Sequence, residues 1–496
     1  MSYNEKQFEP YMDIPKEAFE LVQQDERIHD AKFDTKAKGF FRDAMERFAG
    51  NKGSVICGIV ILILCIYAVV GPMVTPYGAN TYDGYYSYAL PRNSLFASAG
   101  IHFWDGTKKL TGINQQTYDY YSAIPGAVAE DYGSYEAKVD AGRLTTLYDI
   151  RLDSYAKVGY VTMLLTKSEY EAAKAYEEET GIQLFYPVID EDQVANQGYK
   201  NDANAWFLTN SKGVAERDSN GNLQDIYLRD EEGNIQYYIT KMGGSQMQCR
   251  VLYSDWYYYK HGYSASFLFG SDQFGYDIFA RLALGARLSL VLSICVSAVT
   301  LVLGVIIGAL EGYYGGWFDL LFERVKDILW EIPTVVFMSL FQIYLAKKLG
   351  PIVTLFFCFV FFDWIGTSST VRAQFYRFKG QEYVLAARTL GAKDRRLIFR
   401  HILPNAAGFI ITTSVLAIPA VIFTEANMTY LGIVNLQSST LTSVGTMLNN
   451  GQDALATYPH AIFFPAAFIS ILLICFNIFG NGLRDAFNPS LRGSDE

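Results

Sequence analysis

Six stretches of the chain are apolar over lengths near the ~20 residues that a helix needs to cross a bilayer core. The first, residues 54–74 (SVICGIVILILCIYAVVGPMV), is uncharged. The second, 288–310, runs 23 residues without a charge and contains Gly304-x-x-x-Gly308, a small-residue spacing that lets another helix approach closely. The remaining four fall at 332–346, 351–369, 406–423 and 461–479. Of these, 332–346 is short unless the amphipathic FDLLFERVKDILWE ahead of it prolongs the helix. The pattern predicts an α-helical integral membrane protein with six transmembrane helices.

Residues 78–265, between the first and second stretches, follow a different rule. YVTMLLT (160–166) and IQLFYPVI (182–189) read as strands, and SEYEAAKAYEEETG between them as a helix. Ser168 and Glu171 have capping-box spacing at the start of that helix, and Gly181 stands at its end. IYLRDEEGNIQYYIT reads as a hairpin turning at Glu232-Gly233-Asn234. The expectation is an inserted α+β domain, large enough at 188 residues to bury its own core.

Charge sharpens this division. The 78–265 segment holds 16 Lys and Arg against 25 Asp and Glu, so it carries nine of the chain's ten net negative charges, and 24 of the 36 tyrosines. Nine Lys and Arg in residues 1–53, with FFRDAMERFAGNKGS as an amphipathic lead-in (Phe40, Phe41, Met45 and Phe48 on one side), place the N-terminus in the cytoplasm by the positive-inside bias. That lead-in is expected to lie on the membrane surface or on a partner subunit, a frayed tail being the alternative. A cleavable signal is not expected, because the apolar run is too long and begins after residue 50. Six spans then return the C-terminal tail, 483–496, to the cytoplasm and put 78–265 outside. Residues 372–400, with eight Lys and Arg against Glu382 and Asp394, fall inside; Lys347 and Lys348 fall outside, as a mild exception.

Cysteine usage does not indicate a disulfide scaffold. Cys57, Cys65, Cys295, Cys358 and Cys475 lie in apolar stretches, and Cys249 is alone in the acidic segment. No CxxC, HExxH or GxSxG motif occurs, and no Gly-Lys dipeptide, so the chain carries no phosphate-binding P-loop. His29, His102, His261, His401 and His460 have no metal-ligand spacing. Neither a catalytic residue nor a metal site is expected.

The most informative polar stretch is 382–405, EYVLAARTLGAKDRRLIFRHILPN, between two of the apolar segments. Residues 382–390 are good helix formers, and Gly391 can take the left-handed conformation that ends a helix. A second helix over about 392–401 is expected to stop before Pro404. Leu385, Ala386 and Leu390 can share one face. The Ala386-Ala387 pair, Gly391 four residues on and Pro404 thirteen beyond that resemble the EAA signature of ATP-binding-cassette importer permeases. YVLAARTLGA…FRHILPN is similar to the C-type permease of dipeptide, oligopeptide and nickel importers, with Leu385 at the signature's Glu position and His401 at its Ile position. FGSDQFGYDIFARLALGARLSL resembles a family segment usually written with Thr where Ser271 stands and Arg where Tyr276 stands. EGYYGGWFD, EANMTYLG, VGTMLNNGQ and GNGLRDAFNPSLR are similar to family segments too, in matching order. The resemblance spans about 40–77 and 263–492 and leaves the insertion uncovered.

The resemblance implies a division into a cytoplasmic tail (1–53), a first transmembrane helix (54–77), the extracytoplasmic insertion (78–265), a permease core with five helices (266–482) and a cytoplasmic tail (483–496). It implies that Glu382, Ala386, Ala387, Arg388, Gly391, Ala392, Arg396 and Pro404 form the loop that couples to ATPases. The implied partners are a second homologous permease, two cytoplasmic ATPase subunits that bind the ATP and Mg, an external solute-binding lipoprotein, peptides and membrane lipids, but no nucleic acid. The implied location is the bacterial plasma membrane, and the implied activity is import of oligopeptides or dipeptides. Nickel or another small solute is the alternative cargo, and a motor-less peptide sensor the alternative class.

Three charges in or beside the spans stand out. Arg287 and Glu425 fall at the outer ends of theirs at similar depth, so they are expected either to pair or to snorkel separately to water. Asp363, in FCFVFFDWIG, is the most deeply embedded acid, at a cost of about 2.5–3.5 kcal/mol if unsolvated. It is expected to make an interhelical hydrogen bond, the other reading being a place on the translocation path. The Tyr-rich external segment is read either as a dock for the binding protein or as a stabilising decoration.

Overall fold

A computed structural model describes residues 40–93, 96, 102, 104–139, 143–438 and 440–487. Most of the expected N-terminal tail, and the last nine residues, lie outside that set. The chain enters through α1 (Phe40–Gly50), whose Phe48 meets Phe479 edge-on at 5.4 Å, while Met45 is exposed. Asn51 then caps α2 (Lys52–Val74) by accepting from the Ser54 N–H at 3.2 Å.

The inserted segment folds as two antiparallel sheets with short helices. In the first sheet β1 (Thr107–Ile113) and β2 (Val128–Val139) flank β3 (Arg143–Asp153), and α3 (Gln115–Ser122) links β1 to β2. In the second, β4 (Tyr160–Thr166) leads into α4 (Lys167–Thr180), then β5 (Phe185–Tyr186), β6 (Tyr238–Lys241) and β7 (Gln246–Leu252), with α5 (Tyr253–His261) after it. β7 is the central strand: β4 pairs along its whole length, β5 and β6 on its other edge. The capping box of α4 is set two residues earlier than the sequence spacing predicts, on Thr166 and Glu169. Only two residues of the expected 182–189 strand join the sheet.

The hairpin at 232–234 forms, and it is one of three built alike. Asp230, Asp218 and Asn210 each close a turn whose fourth-following amide donates back to the side-chain oxygen: Asn234, Asn222 and Val214. The second and third turns come from the same run, Arg-Asp-x-x-Gly-Asn-(Leu or Ile)-Gln, at 217–224 and 229–236, an internal repeat that pairwise strand reading passes over. One face of the second sheet packs its core around Leu165, Phe185, Val251, Trp256 and Tyr257. Cys249 is fully buried there, and burial pushes its thiol up to about 12, so it stays an unreactive thiol. Tyr88 stacks on Tyr458 at 4.6 Å, Trp104 on Phe464 at 5.7 Å, and Lys108 donates to the Thr457 carbonyl, so the insertion is seated on the membrane helices.

Asp277 caps the longest helix, α6 (Ile278–Tyr314), by accepting from the Phe279 and Ala280 amides, while Arg281 donates to the Ala79 and Leu441 carbonyls. Its 37 residues span about 55 Å at 1.5 Å per residue, more than a bilayer core. α7 (Gly316–Trp330) and α8 (Thr334–Leu349) follow, bent by 76°. FDLLFERVKDILWE therefore does not prolong α8 as one continuous helix. Pro333 offers no N–H and disfavours helical geometry at Ile332, so the two helices meet at a corner. Among the described residues, five helices are long and apolar enough to cross a membrane, or six if this bent pair is one span.

α9 (Pro351–Lys379) packs along α6 through the small-residue stripe. A Cβ at Gly304 would stand 2.6 Å from the Thr367 Cβ, and one at Gly308 would run into the Ser368 carbonyl. α10 (Glu382–Thr389) follows, and then α11 (Asp394–Tyr430). Here the expectation of a second helix ending before Pro404 is corrected: the helix continues through it. Leu397–Ile402 form a π-helical turn, and Pro404 occupies the first turn of the α-helical stretch beyond, where its missing N–H is least demanded. Ser443 caps α12 (Val444–Gln452), and α13 (His460–Phe487) is the last helix among the described residues.

The glycine stripe makes a direct prediction. Gly308→Val, forced against backbone, should destabilise the fold by at least the ~1–3 kcal/mol typical of overpacking, and the protein should be lost from membranes. Gly366→Ala, on α9 with open space around it, should accumulate normally. Membrane abundance and melting temperature in detergent check both; equal behaviour of the two variants would contradict the packing.

Candidate coupling surface and membrane cavity

α10 and the π-helical turn present two unlike faces. Inward, Val384, Leu397, Ile398 and Ile402 are buried against Tyr313 of α6 and Val371 and Phe375 of α9. The Tyr313 hydroxyl donates to Asp394 Oδ1 at 2.6 Å and accepts from Arg388 Nη2 at 3.3 Å, clasping both halves of the bend to the end of α6. The bend is Gly391, at φ +83° with open space around it. Its amide reaches the Arg388 carbonyl at 3.0 Å, and the Ala392 amide reaches that of Ala387 at 3.0 Å. Outward, Leu390 is 89% exposed, Phe399 56% and Leu385 45%. Glu382, Ala386, Arg396 and Pro404 are exposed beside them, and Ala387 and Ala392 are half-buried. The segment therefore has an exposed apolar face on one side and, on the other, contacts that tie it to α6 and α9.

Behind this segment lies a set of ion pairs that sequence reading did not single out. Lys326 of α7 is buried with Glu311, Nζ to Oε2 at 2.9 Å, and also meets Glu323. Arg372 of α9 grips Asp319 bidentately along one guanidinium edge, Nε to Oδ1 at 2.5 Å and Nη2 to Oδ2 at 2.9 Å, and Tyr376 donates to the same carboxylate at 2.8 Å. Oxygens of Glu311, Asp319 and Glu323 converge within 4.8 Å of one another, but cationic side chains stand among them. Such pairs hold α7 onto α6 and α9 where removal of one partner would strand a buried charge. The signal was present in EGYYGGWFD, two acids flanking a tyrosine-glycine run, without any indication of partners.

The expected pairing of Arg287 with Glu425 is corrected. Arg287 donates from Nε to the Ala68 carbonyl and from Nη2 to that of Val69, each at 3.0 Å. Pro72 sits inside α2 and has no N–H for the carbonyl four residues back, which is Ala68, so the arginine supplies the missing donor. Glu425 is buried instead with Ser289, whose hydroxyl donates at 2.7 Å, and with Thr429 at 3.3 Å. Positions 287 and 289 differ by about 200° around a helix, so a side chain meeting Glu425 beside Ser289 faces away from Arg287.

Asp363 makes no hydrogen bond or ion pair among the described residues, so the interhelical bond expected of it is absent there. It faces a cavity of about 700 Å³ bounded by α6, α8, α9 and α11.

Two family descriptions match the chain. "Binding-protein-dependent transport system inner membrane component" covers residues 270–493, and "N-terminal TM domain of oligopeptide transport permease C" covers 39–91. Over 224 residues the chain is 44% identical to the oligopeptide transport system permease protein OppC of Bacillus subtilis, spanning 45% of this chain and 72% of that one. It is 37% identical over 230 residues to the dipeptide transport system permease protein DppC of the same organism, covering 46% and 70%. The OppC of Haemophilus influenzae is 34% identical over 224 residues, covering 45% and 70%.

Arg287→Leu should strand the Ala68 carbonyl and cost about 1–2 kcal/mol. In a Pro72→Ala background residue 72 regains an amide, and the same Arg287→Leu change should cost less. A double-mutant cycle on detergent melting temperatures reads this; strictly additive losses would contradict the substitution of donors.

Proposed function

The chain belongs to the family of binding-protein-dependent inner-membrane transport permeases, of the OppC and DppC kind, and from that membership we propose how it works. It is a permease subunit of a peptide importer, a multi-pass membrane protein that does not itself catalyse a reaction. The proposal concerns its working parts. Two cytoplasmic ATPase subunits bind ATP and Mg and seat on residues 382–404, and a second homologous permease completes the path. An external lipoprotein delivers peptides, both termini are cytoplasmic, and 78–265 lies outside. ATP-driven closure of the ATPases moves the coupling segment, and the two permeases alternate between inward and outward openings.

The observation that carries this reading is the two-faced segment: Leu385, Leu390 and Phe399 are exposed on one side, and Val384, Arg388 and Asp394 are tied to α6 and α9 on the other. Gly391 is its most sensitive point, because a side chain there must adopt a left-handed backbone at about 1–2 kcal/mol and would project into the docked partner. Gly391→Glu should abolish peptide uptake while leaving membrane insertion and abundance intact, read as radiolabelled oligopeptide accumulation beside an immunoblot of membranes. Normal uptake by that variant would refute the coupling role. Contacts of the insertion with Tyr458 and Thr457, at one end of the membrane helices, support a role for it either as a dock for the delivering protein or as a stabilising decoration.

A further inference from the structure

The cavity of about 700 Å³ between α6, α8, α9 and α11 has a mainly apolar lining that includes Met338, Phe359 and Phe362, interspersed with hydroxyl residues such as Thr367 and Thr413, and one ionisable group, Asp363. None of its described lining residues is basic. Asp363 is the thirteenth of 29 residues in α9, so it stands near the middle of a transmembrane helix. Its side chain is exposed to that space, and among the described residues it makes no ion pair or hydrogen bond. The other membrane-embedded acids differ: Glu425 is held by Ser289 and Thr429, and Glu311 by Lys326. A carboxylate near mid-membrane without a partner among the described residues attracts positive charge into the cavity and repels negative charge.

We propose that Asp363 is a charge filter on the translocation path, favouring peptides with net positive charge over anionic ones. This rests on the permease reading and adds a cargo preference to it. The hydroxyls replace part of the hydration shell of an ammonium group in transit, while the carboxylate supplies the field. Acidic groups in a narrow, low-dielectric passage select cations in this way. The cavity has room for a side chain as large as lysine beside Asp363, and a glutamate in the same position would meet an uncompensated like charge.

The test uses the complete transporter in proteoliposomes and three probes that share their termini: Ala-Lys-Ala, Ala-Gln-Ala and Ala-Glu-Ala. The binding protein is the same in every preparation, so a change in the Lys-to-Glu uptake ratio between variants reports on this chain alone. Asp363→Asn should lower that ratio by about tenfold, the low end of what a charge-lined cleft achieves. Asp363→Lys should invert the preference. Unchanged ratios in variants that still assemble would overturn the filter. So would equal loss of all three peptides from an assembled complex, or release of the second permease on purification, which would make Asp363 an inter-subunit contact. If the wild-type complex took up none of the probes, the permease reading itself would fall, and the two failures are thereby distinct.

Discussion

Inside a bilayer neither a backbone carbonyl nor a charged side chain can turn to water, and each polar group has to find its partner within protein or line a wet cavity. That constraint organises the membrane part of this chain. The proline in α2 leaves the Ala68 carbonyl bare, and Arg287, 219 residues away, donates to it. Glu425 takes the Ser289 hydroxyl from the neighbouring helix. Lys326 and Arg372 bring the bent α7 into register with α6 and α9 through Glu311 and Asp319. The apolar surfaces supply packing, while these few polar bonds determine which face of each helix meets which neighbour.

The same logic sets residues 382–404, the proposed coupling segment, apart. It is short, polar and exposed, yet it is tied to the end of α6 by Tyr313, Asp394 and Arg388 and sunk into a hydrophobic pocket by Val384 and Ile402. Because Pro404 is absorbed by a π-helical turn instead of ending the helix, the segment is continuous with α11. Residues from Asp394 onward are thus helical without a break into the transmembrane stretch. The bend at Gly391 supplies the change of direction, and the ion pairs behind it resist local deformation.

How much of this was legible in the chain of letters depended on distance. Apolar runs, the Gly304–Gly308 spacing, the end of α4 at Gly181 and the turn at Gly233 are local signals, and each corresponds to an observed element or contact. The family to which 382–404 belongs was recognisable because the spacing of Ala386, Ala387, Gly391 and Pro404 is itself the motif. Partners were not legible, since a charge on a helix has a full circle of directions and its choice depends on neighbours far along the chain. Arg287 and Glu425 were matched by depth alone, and rotation around the helix separated them. The corner at Pro333 and the passage through Pro404 show one residue type with opposite outcomes, because the π-helical turn before Pro404 accommodates the ring and α7 has no such turn.

The account stands on residues 382–404 being the surface that receives the motor. The most direct measurement is cross-linking from that surface: Leu390→Cys, with the other cysteines removed, treated with a short thiol-to-amine reagent in native membranes. The cross-linked species is then identified by mass spectrometry. The account predicts a cytoplasmic chain bearing a P-loop, with a yield that changes when a non-hydrolysable ATP analogue is added. A cross-link to an extracytoplasmic protein, or none in membranes where the transporter is active, would contradict it.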